Sequence, residues 1–167
     1  SSGTTAELTS PVGGQPLAHV PQSSVADVDE AFARARKAQI AWAQTTIEVR
    51  AAALLRLHDI VLDRQEELID LIVWESGKAR KDAFLEVAHV ALTARYYART
   101  AARALAPTRR TGLIPGLTDV HELHHPRGIV TSISPWNYPL SLGAGDTIPA
   151  LLAGNAVVQK ADNQTAL

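Results

Sequence analysis

Apolar residues spaced three or four apart dominate residues 24–105 and predict helices. Ser24, followed three residues later by Asp27, resembles an N-terminal cap. The apolar positions that recur behind this cap are Val25, Val28, Phe32 and Ala35. The pattern predicts a first helix over about residues 25–43. Residues 1–22, rich in Ser, Thr, Gly and Pro, indicate an irregular extended amino-terminal arm before it.

Two further helices are predicted before Pro107. Thr45 and Glu48 form a capping-box pattern, and Gly77 can supply a left-handed stop, so one long helix should run from there to about residue 76. Its apolar positions are Leu54, Leu57, Val61, Leu68, Leu71 and Ile72. A third helix over about residues 82–105 carries Phe84, Val87, Val90, Ala91, Ala94 and Tyr97. We interpret these helices mostly as scaffold.

Beyond Pro107 the pattern changes to strands. Alternation through Val120 and Leu123 predicts an antiparallel hairpin within 108–127. Residues 128–134, "GIVTSIS", are β-branched and bounded by Gly and Pro, which favours a strand covered on both faces. A helix in "PLSLGAGDTIPALLAGN", ending at Gly154, and a strand "AVVQK" follow. This order predicts a βαβ unit with parallel strands.

Ligands of parallel sheets gather at the carboxyl ends of the strands. After the first predicted strand come Ser134, Pro135, Trp136 and Asn137, and after the second come residues 160–163. The Asn137 amide could donate to an oxyanion, although an Asn before Tyr-Pro more often forms a turn. Lys160 could bind ribose hydroxyls or phosphate, although a lysine at a strand end is usually just solvated.

Composition and charge limit the classes of partner that we expect. The chain has 167 residues, 46% of them apolar, a formal charge of −1 and a pI near 6.6, which favours neither nucleic acid nor an anionic membrane as partner. No apolar run approaches the length of a membrane span and the first residues do not resemble a signal peptide, so we expect a cytoplasmic protein. Without cysteine the chain has no thiolate metal site and no cysteine nucleophile.

Other clusters favour ordinary explanations. His121, His124 and His125 alternate between strand faces and lack a patterned third ligand, so we predict no metal site. Arginines repeating every four residues could bind an acidic substrate, but a solvated helix face is favoured. They are Arg95, Arg99 and Arg103.

Several separated motifs resemble one family. "ESGK" upstream of "LEVAHVALTARYYAR", then "PWNYP" and "PALLAGNAVVQK", occur in the order found in the amino-terminal part of the NAD(P)-dependent aldehyde dehydrogenase superfamily. The resemblance runs from the Trp42 helix to Leu167 and is greatest to the branch labelled succinate-semialdehyde dehydrogenase. It implies an α/β fold: amino-terminal helices, a hairpin and the first βαβ unit of an incomplete Rossmann-like cofactor domain. Residues 23–167 would be a partial NAD(P)-binding domain, with 108–127 as an oligomerisation hairpin.

The resemblance also implies roles. Asn137 would be the oxyanion donor, Ser134, Pro135 and Trp136 would adjoin the cofactor, and Lys160 would contact its adenosine ribose. Asn163 occupies a position that is often Glu in NAD-preferring members, which predicts NADP or NAD as cofactor with NADP accepted at least as well. Gly145 stands where better-known succinate-semialdehyde enzymes carry a substrate-binding arginine.

Aldehyde oxidation in this family needs a cysteine nucleophile, a glutamate and a nicotinamide. The resemblance implies that the cysteine and glutamate segments lie downstream. We therefore interpret the chain as an amino-terminal fragment, inactive alone, of an enzyme that binds an aldehyde and a nicotinamide cofactor and forms a homo-oligomer. The alternative is a non-catalytic oligomerisation or regulatory module derived from that family.

Overall fold

The structure, a computed structural model, describes residues 3–114 and 116–167. The helices are α1 Val25–Gln44, α2 Ile47–Asp63, α3 Gln65–Ser76, α4 Arg80–Ala104 and α5 Pro139–Leu152. The strands are β1 Thr5–Thr9, β2 Pro16–Pro21, β3 Thr108–Arg110, β4 Val120–Glu122, β5 Ile129–Ile133 and β6 Ala156–Lys160. Helix and strand ends lie within two residues of the predictions for α1, α4, α5, β5 and β6.

The apolar core lies where α4 packs between α2, α3 and α5. Helix α4 contributes a stripe of small and β-branched side chains that allows the helices to approach closely. The buried apolar residues of this core are Leu54, Val61, Ile69, Ile72, Ala83, Val87, Val90, Ala91, Ala94, Ala101, Ile148 and Leu152. The packed helices thus provide the support against which α5 and its preceding loop are placed.

Strands pair in three two-stranded sheets within the described residues. Strands β1 and β2 are antiparallel, as are β3 and β4, which confirms the predicted hairpin after Pro107. Strands β5 and β6 are parallel, with Ile129 opposite Ala156 and Ile133 opposite Lys160. The predicted βαβ unit is therefore confirmed.

The prediction of an irregular arm over residues 1–22 was wrong for the part that the structure describes. Strands β1 and β2 form a hairpin whose backbone groups satisfy one another. Leu8 and Ser10 are buried, and the Ser10 hydroxyl donates to the Trp74 carbonyl oxygen at 2.8 Å. Ser1 and Ser2, which the prediction includes, and Pro115 in the predicted 108–127 hairpin lie outside the described residues.

The long helix predicted over 45–76 is two helices. The chain breaks at Arg64, where φ is −103° and ψ is 19°, and α3 restarts with acidic residues in its first turn. The capping-box prediction at Thr45 was also wrong: Thr46 caps α2, while the Thr45 hydroxyl donates to the Trp42 carbonyl oxygen at 2.7 Å. In contrast, the Ser24–Asp27 capping box and the left-handed Gly77 are confirmed.

Strand β5 is not covered on both faces by this chain, contrary to the prediction. The Ile133 side chain is 73% exposed and Thr131 is also exposed. A sheet of only two strands has no neighbour to cover these positions. Helix α1 likewise buries no residue fully.

Helix α5 is fixed at its carboxyl end by side chains of α1 and α2. Trp42 Nε1 donates to the Leu151 carbonyl oxygen and Arg50 Nε to that of Leu152, both at 2.8 Å. Carbonyl groups of a last helical turn lack intrahelical partners, so these donors satisfy them. The Asn155 side chain then ties the helix end to β5, because its Oδ1 accepts the Gly128 amide at 2.9 Å and its Nδ2 donates to the Ala150 carbonyl oxygen at 3.0 Å.

Candidate functional site

The polar segments predicted to form a site meet at the carboxyl ends of β5 and β6. The Ser134 amide donates to the Lys160 carbonyl oxygen at 3.2 Å and joins the two segments. Ser134 is only 4% exposed and Pro135 is half-buried, whereas Trp136 is 53% exposed. Ser134 and Pro135 therefore act as framework of this edge, and Trp136 presents its indole at the surface.

Asn137 lies in the loop between β5 and α5, and the side chain is exposed. Tyr138 is the N-cap residue of α5 and Pro139 begins the helix, a position that suits the fixed φ of proline. The Asn137 backbone carbonyl accepts a hydrogen bond from Lys78 Nζ at 2.7 Å. The loop thus holds Asn137 by its backbone and leaves the amide side chain directed to no partner among the described residues.

Lys78 and Glu86 form a buried ion pair behind this loop. The Glu86 side chain is fully buried and that of Lys78 is 14% exposed. Glu86 Oε2 also accepts the backbone amide of Ser141 at 3.1 Å, and Lys78 Nζ lies 4.3 Å from the centre of the Tyr138 ring. A carboxylate at the amino end of a helix is stabilised by the free amides there.

The Lys78–Glu86 pair was not predicted from the sequence, although the apolar pattern of α4 contains a signal for it. Ala83, Val87 and Val90 form the core-facing stripe of α4, and Glu86 lies on the same side. A carboxylate within an apolar stripe is almost never buried without a partner, so Glu86 indicated a buried cation. That cation is Lys78 of "ESGK". The sequence alone could not pair it with Glu86, because the pairing requires α3 to end beside the loop between β5 and α5.

A second polar contact joins α4 to α5. The Ser141 hydroxyl lies 2.8 Å from His89 Nδ1, and Thr93 Oγ1 lies 3.4 Å from His89 Nε2. Gly145 is one turn further along α5, and a Cβ added there would be 3.8 Å from His89 Cε1. His89 is therefore the side chain that lies beside Gly145, the position at which the sequence offers no arginine.

Lys160 and Asn163 contact each other at the end of β6. Lys160 Nζ donates to Asn163 Oδ1 at 3.1 Å, which leaves the Asn163 amide hydrogens for another acceptor. The Asp162 carboxylate is engaged elsewhere, since its Oδ1 accepts the Gln164 amide at 2.9 Å. Across residues 3–114 and 116–167, no carboxylate forms an ion pair with Lys160.

A cleft of about 370 Å³ separates the amino-terminal hairpin from the end of β6. Trp136 and Asn163 both line it. The Thr165 hydroxyl lies at the same place, is buried, and has no hydrogen-bond partner in the described part of the chain. Glu75 completes the wall; burial raises the pKa of its carboxyl, against the opposing effect of hydrogen bonds from the Leu167 and Ala166 amides.

This arrangement suits a ligand with phosphate and sugar groups. Lys160 supplies a cation, Asn163 supplies amide donors, and Thr165 supplies a hydroxyl that still needs a partner. Trp136 adds an exposed aromatic surface beside them. Each of these groups lies at the edge of the parallel sheet where nucleotides bind in α/β proteins.

The other sequence clusters lie away from this edge. His121 Nε2 lies 3.2 Å from Asp119 Oδ2, and His124 Nε2 lies 3.7 Å from Glu122 Oε1, both on the exposed β3–β4 hairpin. Residues 3–114 and 116–167 contain no group of three or more His, Cys, Asp or Glu side chains suited to a metal. Over the same residues, no helix has the length and apolar character needed to cross a membrane.

Comparison with known proteins gives consistent similarities. A protein of Mycolicibacterium smegmatis with the provisional name succinate-semialdehyde dehydrogenase (NADP+) is 49% identical over 152 residues, which are 91% of this chain and 29% of that protein. The structure of an aldehyde dehydrogenase from Brucella melitensis biovar abortus 2308 matches with a TM-score of 0.94 at 28% identity, over 99% of this chain and 34% of the other. The NADP-dependent glyceraldehyde-3-phosphate dehydrogenase from Bacillus halodurans C-125, in complex with NADP, matches with a TM-score of 0.92 at 32% identity, over 98% and 35%.

The predicted α/β fold, corresponding to the amino-terminal part of such enzymes, is thereby confirmed. This chain spans less than a third of the Mycolicibacterium relative. The model of the aldehyde dehydrogenase family matches residues 1–167. The protein therefore belongs to the aldehyde dehydrogenase family.

Proposed function

We propose that this chain is the amino-terminal part of a longer enzyme that oxidises an aldehyde to a carboxylate with NADP or NAD. One observation carries the proposal most directly: the loop with the exposed Asn137 side chain and the segment with the Lys160–Asn163 pair follow two adjacent parallel strands at one sheet edge. An oxyanion donor and a nucleotide-binding group are needed close together in such a reaction. Below, "full-length enzyme" means this chain joined to the downstream sequence that its relatives possess.

Asn137 would donate its side-chain amide hydrogens to the oxygen of the aldehyde as the carbonyl is attacked. A donor fixed in advance stabilises the developing negative charge without reorganisation at the moment of reaction. The chain contains no cysteine, so the attacking thiolate of a family enzyme must come from downstream sequence. Asn137 is therefore the catalytic residue that we assign to this segment.

The cofactor would lie along the cleft at the end of β6. Lys160 would contact the ribose or phosphate, the Asn163 amide would donate to the same groups, and the Thr165 hydroxyl would gain its missing partner. Trp136, with Ser134 and Pro135 behind it, would border the passage between cofactor and aldehyde. When bound, the nicotinamide accepts the hydride; this chain's groups bind and orient it.

Succinate semialdehyde is the aldehyde we propose, because the Mycolicibacterium relative is named for that substrate. Gly145 cannot hold a carboxylate in the manner of an arginine. His89, which lies against Gly145 and contacts the Ser141 hydroxyl, offers a nearby polar group for the acidic end of the substrate.

A homo-oligomer built through the β3–β4 hairpin completes the proposal. Large apolar side chains in the hairpin and its loops are exposed, which supports an association surface there. They are Leu113, Ile114, Leu117, Val120 and Leu123. We propose that the protein is cytoplasmic. No observation on the described residues favours a non-catalytic oligomerisation or regulatory module over the enzyme.

The test is aldehyde-dependent reduction of NADP and NAD by the purified full-length enzyme. Succinate semialdehyde is compared with butanal, which has the same carbon number and no carboxylate. We expect reduction of NADP, with higher kcat/KM for succinate semialdehyde. Absence of reduction with either aldehyde would contradict the proposed activity, and a preference for butanal would contradict the proposed substrate.

A further inference from the structure

We infer that Lys78 and Glu86 are a positioning pair, which sets the orientation of Asn137 for oxyanion binding. The inference rests on the proposed function, since it requires Asn137 to be the oxyanion donor. In this account neither Lys78 nor Glu86 touches the aldehyde or the cofactor. They act on the reaction through the backbone of the Asn137 loop.

Lys78 holds the loop at two successive residues. Its Nζ donates to the Asn137 carbonyl oxygen at 2.7 Å and lies 4.3 Å from the centre of the Tyr138 ring. A peptide unit is planar, so fixing its carbonyl oxygen also fixes the amide of the next residue. Rotation about the Asn137 backbone is thereby restricted, and with it the direction of the Asn137 side chain.

Glu86 holds the other end of the same loop. One carboxylate oxygen pairs with Lys78, while the second accepts the Ser141 amide at 3.1 Å. That amide belongs to the first turn of α5, where backbone amides have no helical partner. One buried carboxylate therefore connects both sides of the loop to α4.

The starting point of the Lys78 side chain is also fixed. Gly77 has φ of +70°, and a Cβ there would lie 3.1 Å from Pro11 Cγ in the loop between β1 and β2. The left-handed turn at the end of α3 thus packs against the amino-terminal hairpin before the chain reaches Lys78. Three elements, α3, α4 and α5, converge on the loop through this pair.

A buried ion pair is a poor source of stability compared with apolar side chains of similar volume. Glu86 occupies a position on the core-facing side of α4 where an apolar residue could pack. Apolar residues could not bond both the Ser141 amide and a cation that holds the Asn137 carbonyl. Positioning the loop is therefore the role that the contacts of this pair explain.

The first test uses the double variant Lys78→Met/Glu86→Gln in the full-length enzyme. The variant removes both charges together, so no lone charge stays buried, and the introduced amide keeps an oxygen for Ser141. We expect kcat to fall about 10- to 100-fold, as for displaced catalytic groups, with KM for NADP unchanged. Lys81→Met is the matched control, because Lys81 is exposed and should leave kcat unchanged.

A double-mutant cycle separates positioning from general damage. In an Asn137→Ala background, the same double variant should cause no further loss of kcat, because the group being positioned is absent. Equal losses with and without Asn137 would overturn the inference. Lys78→Arg, which keeps the charge but moves the donor atoms, provides the same cycle if the double variant does not fold, with a loss again expected only when Asn137 is present.

The outcomes also distinguish this inference from the proposed function. If Asn137→Ala leaves kcat unchanged, the oxyanion role itself fails. If Asn137→Ala lowers kcat but Lys78→Met/Glu86→Gln and Lys78→Arg do not, the positioning role alone fails. The inference is supported only when both lower kcat and the two losses are not additive.

Discussion

In the proposed function, the charge at the end of β6 would determine which nicotinamide nucleotide binds. Lys160 has no carboxylate partner in the described chain, and Asn163 is a neutral amide that contacts it. Like charges about 4 Å apart cost roughly 4 kcal/mol at an effective dielectric of 20, a cost that solvent and salt reduce. In the proposed binding mode, a carboxylate at position 163 would repel the extra phosphate of NADP, whereas the amide could donate to it.

Asn163→Glu should therefore shift the full-length enzyme towards NAD. The unmodified enzyme should use NADP at least as well as NAD, and the variant should favour NAD relative to it. The measurement is kcat/KM for both cofactors, with Asn163→Gln as the neutral control. A tenfold native preference for NAD, or no shift in Asn163→Glu, would contradict this assignment.

At the scale of elements, the Asn155 side chain ties the carboxyl end of α5 to β5. The buried side chain joins the end of α5 to the amide of Gly128 before β5. The Gly128 amide would lose its acceptor if the side chain were removed. A buried donor left without a partner costs about 1–3 kcal/mol.

Asn155→Ala should lower the unfolding free energy of the full-length enzyme by about that amount. Asn163→Ala deletes the same atoms at an exposed position and should change it by less than about 0.5 kcal/mol. Denaturant unfolding of both variants provides the comparison. Equal stability of the two variants would show that Asn155 does not tie α5 to β5.

Local sequence signals predicted the elements whose ends are marked by a glycine or a capping residue. Gly77 and the Ser24–Asp27 capping box marked helix ends, and the βαβ order followed from three short segments. No glycine or proline marks the break at Arg64, and apolar positions recur on both sides of it in the sequence. Strands β1 and β2 were not predicted because their segment is rich in residues that favour turns and contains no long apolar run.

The location of the candidate site could be predicted from the sequence, but the side-chain contacts that support it could not. Parallel strands place their carboxyl ends together, so Asn137 and Lys160 could be expected at one edge. The Lys78–Glu86 pair depends on how α3 and α4 meet, which local patterns do not contain. Phe84, an apolar position of the predicted third helix, is 47% exposed, while Glu86 two residues later is buried.

At the scale of the whole molecule, the segment exposes surface suited to further strands. Strands β5 and β6 form a sheet of two, and parallel sheets normally have both faces covered. Ile133 is 73% exposed at the strand end that leads to the site. Unpaired strand edges promote association between chains.

The isolated 167-residue chain should therefore aggregate or unfold partly, and it should not oxidise aldehydes. The purified chain, free of host enzyme, is assayed for aldehyde-dependent reduction of NADP and NAD and by size-exclusion chromatography. The full-length enzyme from the same host is the positive control. Turnover by the isolated chain would refute the view that nucleophile and base come from elsewhere.

The central claim is that Asn137 stabilises the oxyanion, and kcat of Asn137→Ala in the full-length enzyme tests it most directly. Loss of one such donor typically costs about 10²- to 10³-fold in turnover. We expect a kcat decrease of that size, with Kd for NADP unchanged because Asn137 does not belong to the Lys160–Asn163 pair. An unchanged kcat in a folded variant that still binds NADP would contradict the account.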